Sequence, residues 1–366
     1  MNIFSYIDKY GCYTFDEVAF NEVDNLVFSA LSYVSLSKYV STNRFNKRTI
    51  KNVGDKFFLD YDKRIKNMTA TKVGIKALKY MKDTRRYGNL LLYNYSYIGD
   101  YNQQFSALTI EINKRLVYVS YEGTDHLISG WKEDFMMMYK FPVLAQRRAI
   151  DYLNRHFLFN NKNIILGGHS KGGNLAMVAA MYSNFWVKDR IISIYNNDGP
   201  GFRKKEIESK YYKEIESKII HIIPNYSLVG LLLRHGDSYD VIRSTRRSIY
   251  CHDMSTWVVR DCKLERAELS DFSKILDEGM IKWFDKYDDE KREKFVKALF
   301  MIFDRAGVES LTDIMNNKKL ILKLIREAKE LDKETGAVIK DFVSIIFNYF
   351  KDVKIEPLFD WKGKDS

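Results

Sequence analysis

Residues 164–176 read Ile-Ile-Leu-Gly-Gly-His-Ser-Lys-Gly-Gly-Asn-Leu-Ala, and this stretch decides the fold. A short apolar run leads through a glycine-rich turn into an amphipathic segment, which predicts a strand, a tight turn and a helix. Gly168, Ser170 and Gly172 give the turn the pattern G-x-S-x-G. In this context the pattern indicates a nucleophile elbow, where the serine is strained above the sheet and its neighbours must be small. A glycine-rich turn with an incidental serine is the alternative.

Strands and helices alternate around this stretch. Two β-rich runs within 105–121 predict a hairpin, and 146–157 predicts a helix. After the serine, 175–185 predicts a helix, and 191–195 and 219–223 predict strands. This alternation indicates an α/β fold whose mostly parallel sheet is covered by helices on both faces.

The composition changes near Arg260, and we expect no β structure after Trp257. We predict three parts: an α/β domain over 1–260, a helical extension over 261–356 and a tail over 357–366. Helical periodicity with charged outer faces predicts the helices of the extension over 264–287, 291–306, 310–314, 320–331 and 338–350. A further helix is predicted in the front part, over 22–35.

A nucleophilic serine needs a histidine base, and in hydrolases of this kind the base follows the serine in the chain. Only His221, His235 and His252 do so. His221 lies within a predicted strand and is expected in the core, and His235 lies in a polar turn and is expected in an exposed loop. His252 follows the last strand-like stretch, in a loop that can reach the carboxyl edge of the sheet. We therefore predict His252 as the base.

The acid that would orient His252 has several candidates. Asp198 ends the strand after the nucleophile, where a carboxylate can hold the imidazole Nδ1–H, although its Asp-Gly-Pro-Gly context equally suits a turn cap. Asp237 and Asp240 lie near the last strand, the commoner place for a hydrolase acid. Asp253 adjoins His252 and is expected to point elsewhere. The residues alone leave this choice open.

An oxyanion hole takes one backbone N–H from the residue after the nucleophile, here Lys171. A second donor comes from the loop after an earlier strand. Residues 116–121 predict such a strand, and Gly123 and Thr124 follow it, so Thr124 supplies a backbone N–H and a hydroxyl there. A plain β-turn is the alternative.

Several segments together resemble a known superfamily. The residues Tyr-Glu-Gly-Thr-Asp at 121–125, Gly-Trp-Lys-Glu-Asp-Phe at 130–135 and the elbow are similar to class 3 (fungal-type) lipases. With Asn-Asp-Gly-Pro-Gly-Phe at 197–202 and His-Asp-Met-Ser-Thr-Trp at 252–257, the chain resembles more closely the Mbeg-like bacterial α/β hydrolases. The resemblance extends over nearly the whole sequence. It implies an α/β-hydrolase fold with a C-terminal helical extension, and serine-dependent ester hydrolysis.

The resemblance also implies roles for residues. Ser170 would be the nucleophile and His252 the base, and Thr124 and Lys171 would form the oxyanion hole. The chain departs from class 3 lipases in carrying Glu122 where they have Arg. Their triad Asp follows the strand equivalent to 219–223, where this chain has Pro-Asn-Tyr-Ser and no carboxylate. That departure favours Asp198 as the acid.

The net charge of +11 is unevenly distributed. After Arg260 there are 21 basic and 23 acidic residues, so the first 260 residues, with 38 basic and 25 acidic, carry the whole excess. A positive front part favours an anionic partner, and a peripheral anionic membrane surface is our candidate. The Lys and Arg clusters follow no nucleic-acid reading motif, so we expect no nucleic-acid partner.

The remaining composition excludes several classes of protein. Three cysteines with no ligand spacing predict neither a disulfide framework nor a structural metal, and no cofactor motif is present. The N-terminal residues lack the apolar core of a signal peptide, and no apolar run approaches the roughly 18 residues of a membrane span. We expect a cytoplasmic location.

Two hypotheses follow for the function. The first is a serine esterase or lipase-like acylhydrolase that acts on a small-molecule ester or a lipid through an acyl-enzyme. The apolar run Phe-Met-Met-Met-Tyr at 135–139 would suit the binding of an acyl group or a lid over the site. A buried helix face is the alternative interpretation of this run. The second is a catalytically weak or inactive module of the same fold that binds an anionic membrane or a protein partner. The substrate does not follow from the motif, because the pocket decides it.

Overall fold

The structure is a computed structural model that describes residues 1–61, 69–100, 103–124, 128–236, 238–308, 320, 323–324, 326–327 and 330–352. Its helices there are α1 (Ile3–Tyr10), α2 (Glu22–Leu31), α3 (Ile50–Asp60), α4 (Thr69–Met81), α5 (Ile128–Met136), α6 (Leu144–Phe157), α7 (Lys171–Tyr182), α8 (Phe185–Lys188), α9 (Lys204–Ile207), α10 (Lys210–Lys213), α11 (Asp271–Lys286), α12 (Asp289–Ala306) and α13 (Lys333–Asp352). Its strands are β1 (Arg48–Thr49), β2 (Leu91–Asp100), β3 (Gln103–Asn113), β4 (Leu116–Tyr121), β5 (Asn163–His169), β6 (Ile191–Asn197), β7 (Ile219–Pro224), β8 (Asp240–Ile242), β9 (Val259–Arg260) and β10 (Lys263–Leu264).

Eight strands form one sheet in the order in which they occur in the chain. β1 to β4 pair antiparallel, whereas β4 to β8 pair parallel. The parallel strands all end at the same edge, so the residues that follow β4, β5, β6 and β7 come together there. The mostly parallel sheet with helices on both faces confirms the predicted α/β-hydrolase fold.

Both faces of the sheet are covered by helices. α1, α2 and α4 belong to one core, which includes Tyr118 and Ile165 of the strands. α6 and α7 belong to the other core, with Val117, Val119 and Leu166. Consecutive residues of β4 thus enter different cores, as the alternation of a pleated strand requires. Because both faces are buried, the parallel strands are rich in apolar residues.

A buried ion pair fixes the N-terminal helices. Arg86 Nη2 lies 2.6 Å from Asp24 Oδ2, and neither side chain is exposed. The Tyr87 hydroxyl donates to Asp24 Oδ1 at 2.7 Å, and the guanidinium carbon lies 3.9 Å from the ring centroid of Phe15. Asp24 also accepts the backbone N–H of Asn21 in a capping box that begins α2. The pair therefore joins α2 to the segment between α4 and β2, which carries Arg86 and Tyr87.

The C-terminal helices pack on one another and on the end of the sheet. The rings of Trp283, Phe295 and Phe342, from α11, α12 and α13, lie 4.9 to 5.4 Å apart between centroids. Their cluster includes Ile223 of β7 and Met138 beyond α5. The predicted helical extension is thus present, while its boundary at residue 260 stays a prediction. None of the described helices has both the length and the apolarity that crossing a bilayer requires.

Several sequence predictions of elements need correction. β9 and β10 form a hairpin after Trp257, where no β structure was expected. Helix α11 begins at Asp271 rather than 264, because the Ser270 side chain accepts the N–H of Ser273 and caps it. The helix predicted over 22–35 ends at Leu31. Residues 310–314, most of 320–331 and the tail at 357–366 lie outside the described residues.

We expect Asp24→Asn to lower the free energy of unfolding by about 3–5 kcal/mol, because the Arg86 guanidinium would remain buried without its counter-charge. Urea unfolding followed by circular dichroism measures the loss. Asp83→Asn is the matched control, since Asp83 pairs with Lys51 and Lys82 at the surface and should cost less than about 1 kcal/mol. Equal losses in the two variants would contradict the role given to the buried pair.

Candidate active site

Ser170 lies at the tight turn between β5 and α7. Its backbone has φ 58° and ψ −135°, a conformation that residues other than glycine rarely adopt. A Cβ on Gly172 would lie 2.1 Å from the carbonyl oxygen of Tyr121, and one on Gly168 would lie 2.4 Å from the backbone of Gly172. The turn therefore needs both glycines for close approach of the backbone. A serine in a strained backbone conformation thus lies between two glycines at a tight turn from strand to helix.

Asp198 follows β6 and lies at the same edge of the sheet. Its side chain has no exposure, and its φ is 50°. The carboxylate accepts three hydrogen bonds: Oδ1 from Ser227 Oγ at 2.5 Å and from the Gly230 N–H at 3.0 Å, and Oδ2 from His252 Nδ1 at 2.6 Å. Of the candidate acids that the structure describes, Asp198 is therefore the one hydrogen-bonded to the predicted base.

His252 ends a short 3₁₀ helix over 248–252, and its ring is about one-fifth exposed. Its loop is fixed at two carbonyl oxygens. His252 O accepts from His169 Nε2 at 2.7 Å, and Cys251 O accepts from Trp257 Nε1 at 2.7 Å. Among the described residues no hydrogen bond joins the His252 ring to Ser170, and catalytic hydrogen bonds are often long without a bound substrate.

His169, the residue before Ser170, has a defined tautomer. A carbonyl oxygen only accepts, so His169 Nε2 carries the proton that it gives to His252 O. His169 Nδ1 must then accept, and it takes the Tyr33 hydroxyl at 2.9 Å. Burial, with His252 nearby, lowers the pKa of His169 well below its ordinary value, which keeps the ring neutral. Tyr33 and His169 thus connect the turn after α2 to the His252 loop.

Tyr33 also reaches the loop that follows β4. Its hydroxyl oxygen lies close to Gly123, because a Cβ on Gly123 would lie 2.1 Å from that oxygen. Sequence reasoning missed both Tyr33 and His169. His169 precedes Ser170 and so was not among the candidate bases, and nothing in the local sequence distinguishes Tyr33.

The predicted oxyanion residues lie on the two sides of the elbow. Lys171 is the first residue of α7, where backbone N–H groups have no acceptor within the helix. Its side chain is fully buried and donates to Gln104 O at 3.0 Å and to Glu133 Oε2 at 3.4 Å. The Thr124 hydroxyl donates to Asp134 Oδ2 at 2.5 Å. The neighbouring acids of α5 therefore hold Lys171 and Thr124.

A narrow cavity adjoins Ser170. Its volume is about 20 Å³, enough for roughly one water molecule. The residues that line it are mostly apolar and come from α5, its C-terminal end, and the segments after β6 and β7: Trp131, Asp134, Phe135, Met138, Pro200, Val229, Leu232 and Leu233. The run at 135–139 therefore contributes Phe135 and Met138 to this wall, and Met137 and Met138 pack against the C-terminal helices.

The other candidate histidines stack on each other. The rings of His221 and His235 lie 4.0 Å apart, and neither is hydrogen-bonded to Ser170 or Asp198 within the described chain. His221 is buried in β7 as predicted, whereas the prediction of an exposed His235 was wrong because its Nε2 is buried.

The other candidate acids are either engaged elsewhere or not described. Asp240 pairs with Arg266 at 2.9 Å. Asp253 caps the short helix that begins at Met254 by accepting the Ser255 N–H at 2.8 Å. Asp237 lies outside the described residues. Within the described chain, Asp198 is therefore the candidate acid that is hydrogen-bonded to His252.

The eight-stranded sheet and the helices that cover both of its faces define a protein of the α/β-hydrolase fold. Residues 81–301 match the Mbeg1-like family, and the chain belongs to that family. This confirms the family predicted from the motifs. No curated protein matches the sequence.

Two solved structures are similar at low identity. The crystal structure of M37 lipase is 15% identical with a TM-score of 0.35, and the match covers 56% of this chain and 68% of that one. The crystal structure of a lipase from Rhizopus microsporus var. chinensis is 14% identical with a TM-score of 0.35, over 52% of this chain and 78% of that one.

The buried histidines predict a stability that falls in mild acid. Burial lowers the pKa of His169 and His221 well below the ordinary value and that of His235 to about 3. Below about pH 6.5 these histidines bind protons in the unfolded chain but stay neutral in the folded chain. The free energy of unfolding therefore has its full value above that pH and declines below it. We expect each of these histidines to lower the free energy of unfolding by about 1.4 kcal/mol when the pH falls from about 7.5 to about 5.5.

Urea unfolding at the two pH values measures this loss. His235→Gln removes one titrating ring and should reduce the pH dependence by about 1.4 kcal/mol over that interval. An unchanged dependence in this variant would show that His235 titrates normally in the folded protein.

Proposed function

We propose that the protein is a serine ester hydrolase, an esterase or lipase-like acylhydrolase. The observation that carries the proposal is the 2.6 Å contact between His252 Nδ1 and the buried Asp198 carboxylate, at the sheet edge where Ser170 lies. A carboxylate on Nδ1–H selects the tautomer whose Nε2 is free to take a proton. The strained backbone of Ser170 supports the same assignment.

In the proposed reaction Ser170 Oγ attacks the carbonyl carbon of the ester while His252 Nε2 takes the hydroxyl proton. The backbone N–H groups of Lys171 and Thr124 would receive the negative oxygen of the tetrahedral intermediate. Collapse of the intermediate breaks the ester bond, and the alcohol leaves with the proton from His252. A water molecule, deprotonated by His252, then attacks the acyl-enzyme and releases the carboxylic acid.

The elements around the site support these roles. The Thr124 hydroxyl donates its hydrogen bond to Asp134. We therefore assign the backbone N–H of Thr124, and not its hydroxyl, to the oxyanion hole. The buried Lys171 side chain is held by Gln104 and Glu133, which orients the first turn of α7 beneath the reacting carbonyl. The positive end of the helix then favours the charge that develops there.

The cavity wall supports an apolar acyl group. Trp131, Phe135 and Leu232 face the same small space as Ser170. A space for roughly one water molecule is too small for an acyl chain, so binding requires α5 or the segment after β7 to move. We propose a small-molecule ester or a lipid with an apolar acyl part as substrate.

We expect Ser170→Ala to abolish both turnover of p-nitrophenyl acetate and butyrate and labelling by a fluorophosphonate probe. Asp198→Asn should lower kcat on the order of 10³- to 10⁴-fold, because the imidazole would lose the tautomer that accepts the serine proton. Ser344→Ala, an exposed serine of α13, is the matched control and should keep full activity. Equal turnover by the wild type and Ser170→Ala would exclude the proposal.

Labelling separates the proposed enzyme from the second hypothesis. A folded wild-type protein that neither hydrolyses these esters nor reacts with the fluorophosphonate would be a non-catalytic module of the hydrolase fold.

We expect Tyr33→Phe to lower kcat about tenfold, because loss of one buried hydrogen bond frees the His169 ring that positions the His252 loop. KM should stay within about a factor of two, since Tyr33 is a positioning residue and does not line the cavity. Tyr39→Phe removes a hydroxyl that donates to Asp60 at the surface and should leave kcat unchanged. A lower melting temperature with an unchanged kcat would contradict the positioning role.

A further inference from the structure

The opposite edge of the sheet carries a surface of unusual composition. The parallel strands β5 and β6 both begin there, and each has seven residues, so this edge lies about 20 Å from the elbow. We call the basal surface the four segments at this edge: residues 113–115, 158–163, 183–190 and 213–218. They precede β4, β5, β6 and β7 in turn.

Three large aromatic side chains of the basal surface point into solvent. Phe159 is 86% exposed, Phe185 70% and Trp186 67%. The Arg190 guanidinium joins their two segments, since it donates to Trp186 O and to Lys162 O. Single exposed apolar residues are ordinary, but three exposed aromatic rings on two adjoining segments mark an interaction surface.

The basal surface is also basic. Its four segments contain seven Lys or Arg and three Asp or Glu residues. Lys188 and Lys213 each pair with one of the three acids, Glu214 and Glu216. No ion pair involves Lys114 or Arg115 in the described part of the chain, and both are exposed. Lys162 pairs with Glu111 of β3, just outside the four segments. A surplus of positive charge therefore remains on the basal surface that carries the aromatic rings.

We propose that the basal surface docks the protein peripherally on an anionic lipid bilayer. Trp and Phe rings partition into the boundary between headgroups and acyl chains, and Lys and Arg are attracted to anionic headgroups. The combination of protruding rings and positive charge fits this partner. A second copy of the chain would bring two positive surfaces together, which opposes self-association.

The proposal is independent of the proposed catalytic function and has a geometric consequence for it. With the basal surface on a bilayer, Ser170 lies at the edge that faces away from the lipid. A substrate would then reach the site from the aqueous side rather than from the bilayer that holds the protein.

Co-sedimentation tests the proposal with vesicles of phosphatidylcholine alone and of equimolar phosphatidylcholine and phosphatidylglycerol. The wild type should sediment with the anionic vesicles and should dissociate as salt is raised. The double variant Phe185→Ser/Trp186→Ser should bind at least about tenfold more weakly, because it loses the inserted rings. Lys114→Glu/Arg115→Glu should weaken binding through charge alone.

Phe45→Ser is the matched control, because Phe45 is 85% exposed on the loop before β1 and lies outside the basal surface. It should bind as the wild type does. All variants should keep the wild-type melting temperature, and the vesicle assay needs no ester turnover, so its outcome is separate from that of the catalytic proposal.

Three outcomes would overturn the inference: no sedimentation of the wild type with anionic vesicles, binding by Phe185→Ser/Trp186→Ser equal to that of the wild type, or equal loss in Phe45→Ser. A lipid-free dimer that this double variant dissociates would assign the surface to self-association instead.

Discussion

The carboxylate of Asp198 holds together the loops at the carboxyl edge of the sheet. It is fully buried, and a buried anion is costly unless its oxygens are satisfied. Ser227, Gly230 and His252 satisfy them. The first two belong to the segment after β7, which continues into the cavity wall, and the third belongs to the loop after β8. One side chain therefore fixes both the base and part of the pocket.

A neutral histidine provides the second constraint at this edge. His169 accepts from Tyr33 and donates to the carbonyl of His252, so it uses both ring nitrogens. It could not do this as an imidazolium, which has two donors and no acceptor. Burial keeps the ring uncharged, and in this way the packing of α2 against the sheet determines where the His252 loop lies. The ion pair of Asp24 and Arg86 joins the first turn of α2 to the segment between α4 and β2.

The sequence was most informative where the constraint is local. Gly168 and Gly172 lie within two residues of Ser170, so one short pattern predicts the tight turn. Asp198 was favoured as the acid by its place after a strand and by the missing carboxylate after β7; the structure shows its contact with His252, and its catalytic role stays a prediction. Tyr33 could not, because it is 136 residues from its partner His169 and is one of 25 tyrosines. Strand β2 was not predicted. Its alternation of inward and outward side chains is interrupted at Asn94, where φ is positive and the register with β3 shifts.

The family match and the folded core have different limits. The match covers 81–301, which ends inside α12 and begins after α2. Phe342 of α13 packs against Trp283 and Phe295, and Asp24 lies in the N-terminal core. A polypeptide cut at the family limits would therefore expose two apolar faces to water and leave Arg86 without its carboxylate. Such a fragment would be expected to aggregate, so the smallest unit suited to expression or crystallisation extends well beyond the segment by which the family is recognised.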